Sequence, residues 1–491
     1  MAVVLPVVYI VIRATERGWG PIEATLLRQR TLELLLGSLG LAAAVTAASL
    51  VFGVGGAWLV ARTDLPGRRF WRVAFGLPLA IPSYIAAWGW IGWRPDLAGW
   101  LGAWIVLTSV SYPFVYLPVL GALHRADPAL EEVARSLGRR PWQVFVGVTL
   151  PEVRIAATAG ALLVALYALS DFGAVSIMRF EGLTHVIYQS YRASFDRTPA
   201  AVLGCLLVAV SLVVVAAAVR VDRRGRPQAR IGAGAPRPHR PITLGRWRWP
   251  AVVAVTAVLG LSLGVPARSL VIWLARGSST TDWSEWFDAT VSTLTIAVVA
   301  ALVTVAVALP VAILSARHPG SLSRGVTQLA YAGHALPGIV IALALVFFGV
   351  RFATPLYQRT PMLVFAYVVL FLSLALGAIH NAIAQAPPVL DDVARTLGRS
   401  QWRAWAAVTL RLSLPGIGVA AALVCLTVMK ELPATLLLHP IGMETLATRL
   451  WSLTSGASYA AAAPYAATIV VVAAIPTALL TRFAMSREEH Q

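Results

Sequence analysis

Few side chains in this 491-residue sequence could do chemistry, and the candidates border or interrupt long apolar runs. Asp171 closes one such run, and the pair Lys430-Glu431 closes another 260 positions later. An ionisable group in or beside a membrane-crossing segment is costly, so function is its default reading. Two carboxylates at matched positions could face a central pathway and offer oxygen ligands to a hard cation. In interfacial water, with Lys430 offsetting Glu431, the same residues would be ordinary boundary charges. His334 and His380 have no metal-ligand spacing to another His or carboxylate, which favours core or interface roles, and no metal ligand is assigned. Ser170, Tyr188 and Tyr191 are candidates for lining positions or for interfacial anchoring. Cys205 and Cys425 lie inside apolar runs, so neither a disulfide framework nor a thiolate metal site is indicated. A phosphate loop needs Gly-Lys-Ser/Thr, and Met429 precedes the sole lysine, Lys430; the chain cannot hydrolyse ATP by that chemistry. No catalytic residue is identified, and an enzyme is not expected.

A second set of acids sits in a repeated loop. Glu131-Glu-Val-Ala-Arg-Ser-Leu-Gly-Arg139 precedes Asp391-Asp-Val-Ala-Arg-Thr-Leu-Gly-Arg399 by 260 positions, and Trp142 and Val148-Thr-Leu150 match Trp402 and Val408-Thr-Leu410. Weaker matches place Arg62 opposite Arg317, Pro82 opposite Pro337 and Gly182 opposite Gly442. Lipid-facing helices can diverge while staying apolar, whereas a loop read by a partner must keep its contacts. Two matched loops therefore imply two copies of a partner surface. Locally, Asp127 is placed to cap a helix starting at Pro128, and Glu131 and Glu132 suit its early turns. Gly138 ends that helix beside Arg139 and Arg140. Pro141 begins a second short helix and Pro151 precedes the next span, which predicts helix, glycine turn and helix beneath the membrane. A solvated amphipathic connector is the bland alternative.

Helices that cross a membrane must position these residues. The chain is 58% hydrophobic and 13% charged, against about a quarter charged for a soluble protein, which excludes a soluble two-domain enzyme. Apolar segments fall near 1–12, 34–60, 73–93, 101–122, 153–173, 201–219, 249–274, 289–315, 326–348, 361–383, 413–434 and 461–481. Twelve is even, so both ends should share one side. With 61–72, 123–154, 220–248, 316–325, 384–412 and 482–491 assigned to the cytoplasm, that side carries 26 arginines against 10 acids, or +16, and the other side +2. The asymmetry follows the positive-inside rule, so most of the net +18 reports orientation and the C-terminus is expected in the cytoplasm. Residues 220–248 hold nine arginines against one Asp, which suits a linker lying on anionic headgroups better than a nucleic-acid arm. The expected organisation is a first half at 1–219, a basic cytoplasmic linker at 220–248 and a second half at 249–491, parallel because six spans is even. The first span offers only about 18 Å of helix against a hydrocarbon core of about 30 Å. Pro6 aligns with Pro266, which has an apolar stretch ahead of it, so a longer natural N-terminus or a truncated start is expected.

Glu132-Val-Ala, three residues, Gly138, nine residues and Val148-Thr-Leu-Pro151 resemble the EAA loop of inner-membrane permeases in binding-protein-dependent ABC importers, and 392–410 resembles a second copy. The fold this implies is an all-α polytopic membrane protein with about twelve transmembrane helices in two parallel six-helix repeats, the type I importer permease. In that family the loop is a coupling helix seated on an ATPase subunit. The resemblance makes Glu132, Ala134 and Gly138, with Asp392, Ala394 and Gly398, docking positions, together with the leading acids Glu131 and Asp391. Asp392 in place of Glu, and Arg411 where proline is usual, imply weaker or differently angled docking for the second copy. Leu169-Ser-Asp-Phe-Gly-Ala174, Ser194-Phe-Asp-Arg197, Lys430-Glu-Leu-Pro-Ala-Thr-Leu-Leu-Leu438 and Glu444-Thr-Leu-Ala-Thr-Arg449 are similar to fused permeases of the ferric-iron type, while thiamine, phosphonate and polyamine permeases share parts of them. The implied partners are two copies of a cytoplasmic ATPase subunit carrying ATP and Mg, a periplasmic or lipid-anchored solute-binding protein, and membrane lipid, with no nucleic acid and no cofactor on this chain. The implied location is the bacterial inner membrane. A major-facilitator secondary transporter is the competing class, since Asp64-Leu-Pro-Gly67-Arg68-Arg69 partly matches that group's loop.

Overall fold

The computed structural model describes residues 4–125, 128–193, 196–223, 241–279, 281–318, 320–333 and 336–488. Asp127, His334, Ser194, Phe195 and most of the 220–248 linker lie outside the described residues. Within them the secondary structure is helical, apart from one isolated parallel bridge between Thr63 and Ile242. A helix satisfies its own backbone hydrogen bonds, the condition for crossing hydrocarbon. Among the described residues eight helices are long and apolar enough to cross: Gln29–Arg62, Trp100–His124, Trp142–Ser170, Thr198–Ala217, Gly245–Arg276, Trp283–Arg317, Thr360–Gln385 and Gln401–Lys430. Three shorter apolar helices, Val4–Thr15, Gly338–Phe352 and Tyr459–Ala473, account for three more of the expected segments.

The remaining segment, expected near 73–93 as one span, is two helices. Arg68–Ala80 and Ser83–Ile91 meet at 90°. Pro82 stands at the break in extended backbone, with φ −59° and ψ 142°. The expected 326–348 span is likewise divided into Ser321–Ala332 and Gly338–Phe352, with Pro337 at φ −60° and ψ 134° before the second piece. Proline lacks an N–H and clashes with the preceding turn, so it serves here as the residue that opens a new helix.

The described residues gather into two compact units. One comprises Arg28–Val186 and Ala209–Ala275; the other comprises Met1–Leu27, Ile187–Val208 and Arg276–Gln491. This division cuts across the contiguous halves expected at 1–219 and 249–491. In the unit that holds 28–186, small residues let helices approach closely. A β-carbon at Gly53 would stand 2.6 Å from the Val115 β-carbon, and one at Gly160 2.6 Å from the Phe114 carbonyl oxygen. Val265–Arg276 joins this unit: a β-carbon at Gly89 would lie 2.8 Å from Pro266, and Ser269 Oγ donates to the Gly89 carbonyl at 2.6 Å. In the other unit, Val4–Thr15 packs on Gly338–Phe352, with the Tyr9 ring edge-on to Phe348 and Phe352 at 5.7 Å. Just beyond that first helix, hydrogen bonds from Arg351 and Arg13 hold the Glu16 carboxyl below the usual carboxylate range. The opening helix of each sequence half therefore belongs to the unit built mainly from the other half. The repeat identifies equivalent segments; side-chain fit decides which bundle each one joins.

Because Gly53 is crowded and Gly55 two residues on has nothing within 4 Å of its β-position, Gly53→Leu should destabilise the purified protein by about 1–3 kcal/mol. Gly55→Leu should leave it unchanged, and thermal unfolding in detergent compares the two.

Candidate functional site: two anchored loops

Each repeated loop begins as predicted. Pro128–Ser136 and Pro388–Thr396 are amphipathic helices of nine residues. Each ends in a glycine with left-handed backbone, Gly138 at φ +78° and Gly398 at φ +86°. The Arg139 N–H then reaches back to the Ala134 carbonyl, and the Arg399 N–H to the Ala394 carbonyl, both at 3.2 Å. That six-to-one bond closes the helix end and needs φ > 0 at the glycine. Nothing lies within 4 Å of a β-carbon at either glycine, so backbone conformation alone calls for it.

The chain that follows departs from the expected separate short helix. Pro141–Val144 runs through a widened π turn, Phe145–Thr149, directly into Leu150–Ser170. The second copy does the same through Gln401–Trp405, Ala406–Leu410 and Arg411–Lys430. The widened turn recurs although Arg411 stands where the first copy has Pro151, so proline is not its common cause.

An ion pair and a hydroxyl tie each loop to its bundle. Arg62, the last residue of Gln29–Arg62, places Nε 3.2 Å from Glu131 Oε1, both side chains almost fully buried. Thr149 Oγ1 donates to the same carboxylate oxygen at 3.0 Å. In the second copy Thr409 Oγ1 donates to Asp391 Oδ2 at 2.6 Å, Arg317 Nη2 stands 3.8 Å from that oxygen, and Arg317 also donates to Thr409 and to the Ala386 carbonyl. Ile242 of the linker joins the first clip: its N–H donates to the Arg62 carbonyl at 2.8 Å, and Asp64 N–H donates to the Ile242 carbonyl at 3.1 Å.

This geometry divides the eight loop residues singled out from sequence. Glu131 and Ala134 are buried, as is Ala394, and Asp391 is turned into its clip. Glu132, Gly138, Asp392 and Gly398 remain at the surface. Beside them stand apolar side chains that the reading of the motif left out. Val133, Leu137 and Trp142 are 57%, 76% and 71% exposed, and Val393, Leu397 and Trp402 are 49%, 79% and 72% exposed. Their recurrence at the same three positions was legible in the repeat. The clip partners Arg62, Arg317, Thr149 and Thr409 were visible there too, but only as matched residues without a contact.

Asp171 and Glu431, the candidate pathway acids, hold matched places in the two repeats. Each follows a long helix and caps the short helix after it. Asp171 Oδ1 accepts from Ala174 N at 2.8 Å, and Ser83 Oγ donates to Oδ2. Glu431 accepts from Ala434 N, Thr435 N and Thr435 Oγ1, each at 3.0 Å. A β-carbon at Gly338, the counterpart of Ser83, would lie 3.2 Å from the Glu431 carboxylate. Both carboxylates thus fasten a capped helix to the one that starts after the broken span. Lys430 is the final residue of its helix and is half-buried.

The family model described as "Binding-protein-dependent transport system inner membrane component" matches residues 49–227 and again residues 308–485. The chain belongs to this family. The permease is 36% identical to the Fe(3+)-transport system permease protein FbpB 2 of Haemophilus influenzae, over 98% of this chain and 96% of that protein. It is also 33% identical to the sulfate transport system permease protein CysW of Synechocystis, over 33% of this chain and 68% of that one, and 30% identical to CysW of Escherichia coli, over 35% and 65%. The permease is therefore a multi-pass transporter component and not an enzyme, and the major-facilitator reading falls.

Removing one partner of a buried pair leaves the other charge uncompensated, at a cost of about 3–5 kcal/mol. Arg62→Ala should lower the thermal stability of the permease by that order and Arg317→Ala, whose pair is longer and more exposed, by clearly less. The capping role makes a separate prediction: Asp171→Asn, which keeps an acceptor for Ala174 N, should be milder than Asp171→Ala, by about 1 kcal/mol in the same unfolding measurement.

Proposed function

We propose that this permease carries ferric ion inward across the bacterial inner membrane, with ATP and Mg held by two copies of a cytoplasmic ATPase and the ion delivered by a binding protein on the outer side. The observation that carries the solute is the 36% identity to a ferric transport permease along 98% of the chain. The sulfate permeases align with about a third of it. The charge asymmetry supports a cytoplasmic C-terminus and cytoplasmic loops.

The exposed faces of the two loops suit a partner groove. Each sets an acid, Glu132 or Asp392, beside apolar side chains that would lose water on docking. Movement of a docked loop reaches the bundle through its clip. Glu131 and Asp391 sit on the loop helices, while Arg62 and Arg317 close the helices Gln29–Arg62 and Trp283–Arg317. A buried ion pair resists shear more than a solvated one, so the loop and the helix end move together. ATP-driven displacement of the partner would then tilt those helices and alternate access to the pathway.

Reconstitution with the ATPase and binding protein tests the solute. ATP-dependent uptake of labelled ferric ion is expected, and uptake of sulfate, thiamine or a phosphonate in its place would overturn the assignment. For the loops, Gly138→Glu and Gly398→Glu should each reduce co-purification of the ATPase while the permease still inserts in the membrane; normal transport by both variants would refute the docking role.

A further inference from the structure

A cavity of about 310 Å³, lined in large part by polar side chains, lies within the unit that holds residues 276–491. Tyr188, Tyr191 and Arg192 come from the helix Leu183–Ala193, and Tyr357 from the turn before Thr360–Gln385. His439 follows Pro433–Leu438, and Glu444 precedes Leu446–Ser455. Three phenols, a carboxylate and an imidazole thus converge on one space. Resting on the ferric-ion reading above, we infer that this cavity is a transient acceptor site for the trivalent cation on its way through the permease, with Tyr191, Tyr357 and Glu444 as oxygen ligands.

The donors are in suitable states. His439 Nδ1 lies 2.9 Å from the Thr435 carbonyl, which can only accept, so Nδ1 carries the proton and Nε2 keeps its lone pair. Glu444 is exposed and receives one hydrogen bond, from Thr448 Oγ1 at 3.1 Å, which orients the carboxylate without using its second oxygen. The Arg197 guanidinium stands 4.8 Å above the Tyr191 ring, and Arg192 donates to Tyr188 Oη at 3.0 Å. Each ligating phenol releases its proton to water, and no electron moves. Hard oxygen donors of this kind select a small, highly charged ion over softer metals, and tyrosinate is a ligand that iron accepts in proteins.

Tyr188, Tyr357, His439 and Glu444 all fall on connections that the charge asymmetry puts on the outer side, where a binding protein would release its ion.

The test uses the purified full-length permease in nanodiscs, titrated with ferric nitrilotriacetate and followed by the visible phenolate-to-iron charge-transfer band. A saturable band at one ion per chain is expected. Tyr191→Phe with Tyr357→Phe, which preserves both rings, should weaken ferric binding roughly tenfold or more, as should Glu444→Gln, while Tyr331→Phe at a distant exposed tyrosine should leave it unchanged. In the reconstituted importer the same variants should slow ferric uptake with ATPase recruitment intact. If wild-type protein imports ferric ion but shows no band, or a band the double variant retains, the acceptor site is refuted and the transport reading stands. If the importer moves no ferric ion, the transport reading is what fails.

Discussion

A charge that leaves water inside a membrane protein must find its opposite, and the permease meets this constraint where the end of a long helix meets a repeated loop. Arg62 closes its helix against Glu131, and Arg317 closes its own against Asp391. Without the acid, each arginine would sit at a helix end with its charge poorly compensated; without Arg62, the buried Glu131 would fall back on its longer pair to Arg135 at 3.5 Å. The glycine turns, the widened π turns and the threonines Thr149 and Thr409 all serve to bring one acid inward while its neighbour, Glu132 or Asp392, stays in solvent. The acidic pair is thus two residues with two duties, one holding the loop to the protein and one presented outward.

The same economy governs the broken spans. Pro82 and Pro337 end one helix and start another, which frees backbone groups that hydrocarbon cannot satisfy. At the separate breaks after Ser170 and Lys430, Asp171 and Glu431 take hydrogen bonds from the first turns of the following short helices, and they meet the start of the post-proline helix at Ser83 and Gly338. Both carboxylates are therefore employed in closing the fold. The tyrosine-lined cavity lies a few residues further on, walled by the helix Leu183–Ala193 and by the stretch that holds His439 and Glu444.

The difference between the reading and the structure has specific physical sources. Helices were legible because apolar runs of this length have few alternatives in a bilayer, and the loop helices because Pro, the acids and Gly mark their ends. Hidden from the sequence were the inward turn of Glu131 and Ala134, which depends on Arg62 arriving from 69 residues away, and the exchange of opening helices between units, which depends on contacts such as Gly89 on Pro266. Nothing local distinguishes a carboxylate that caps a helix from one that lines a pathway; only the positions of the surrounding N–H groups do.

The amino-acid sequence by itself determined that this is a polytopic helical membrane protein with two parallel copies of one loop, because hydropathy, arginine asymmetry and a 260-residue spacing are properties of the chain read in order. Tertiary structure alone decided which acid of each pair faces out, which half each opening helix joins, and which tyrosines share a cavity. Those choices rest on distances between residues far apart in the chain, set by close packing and by the cost of burying an unpaired charge, and neither quantity is written in any local stretch of residues.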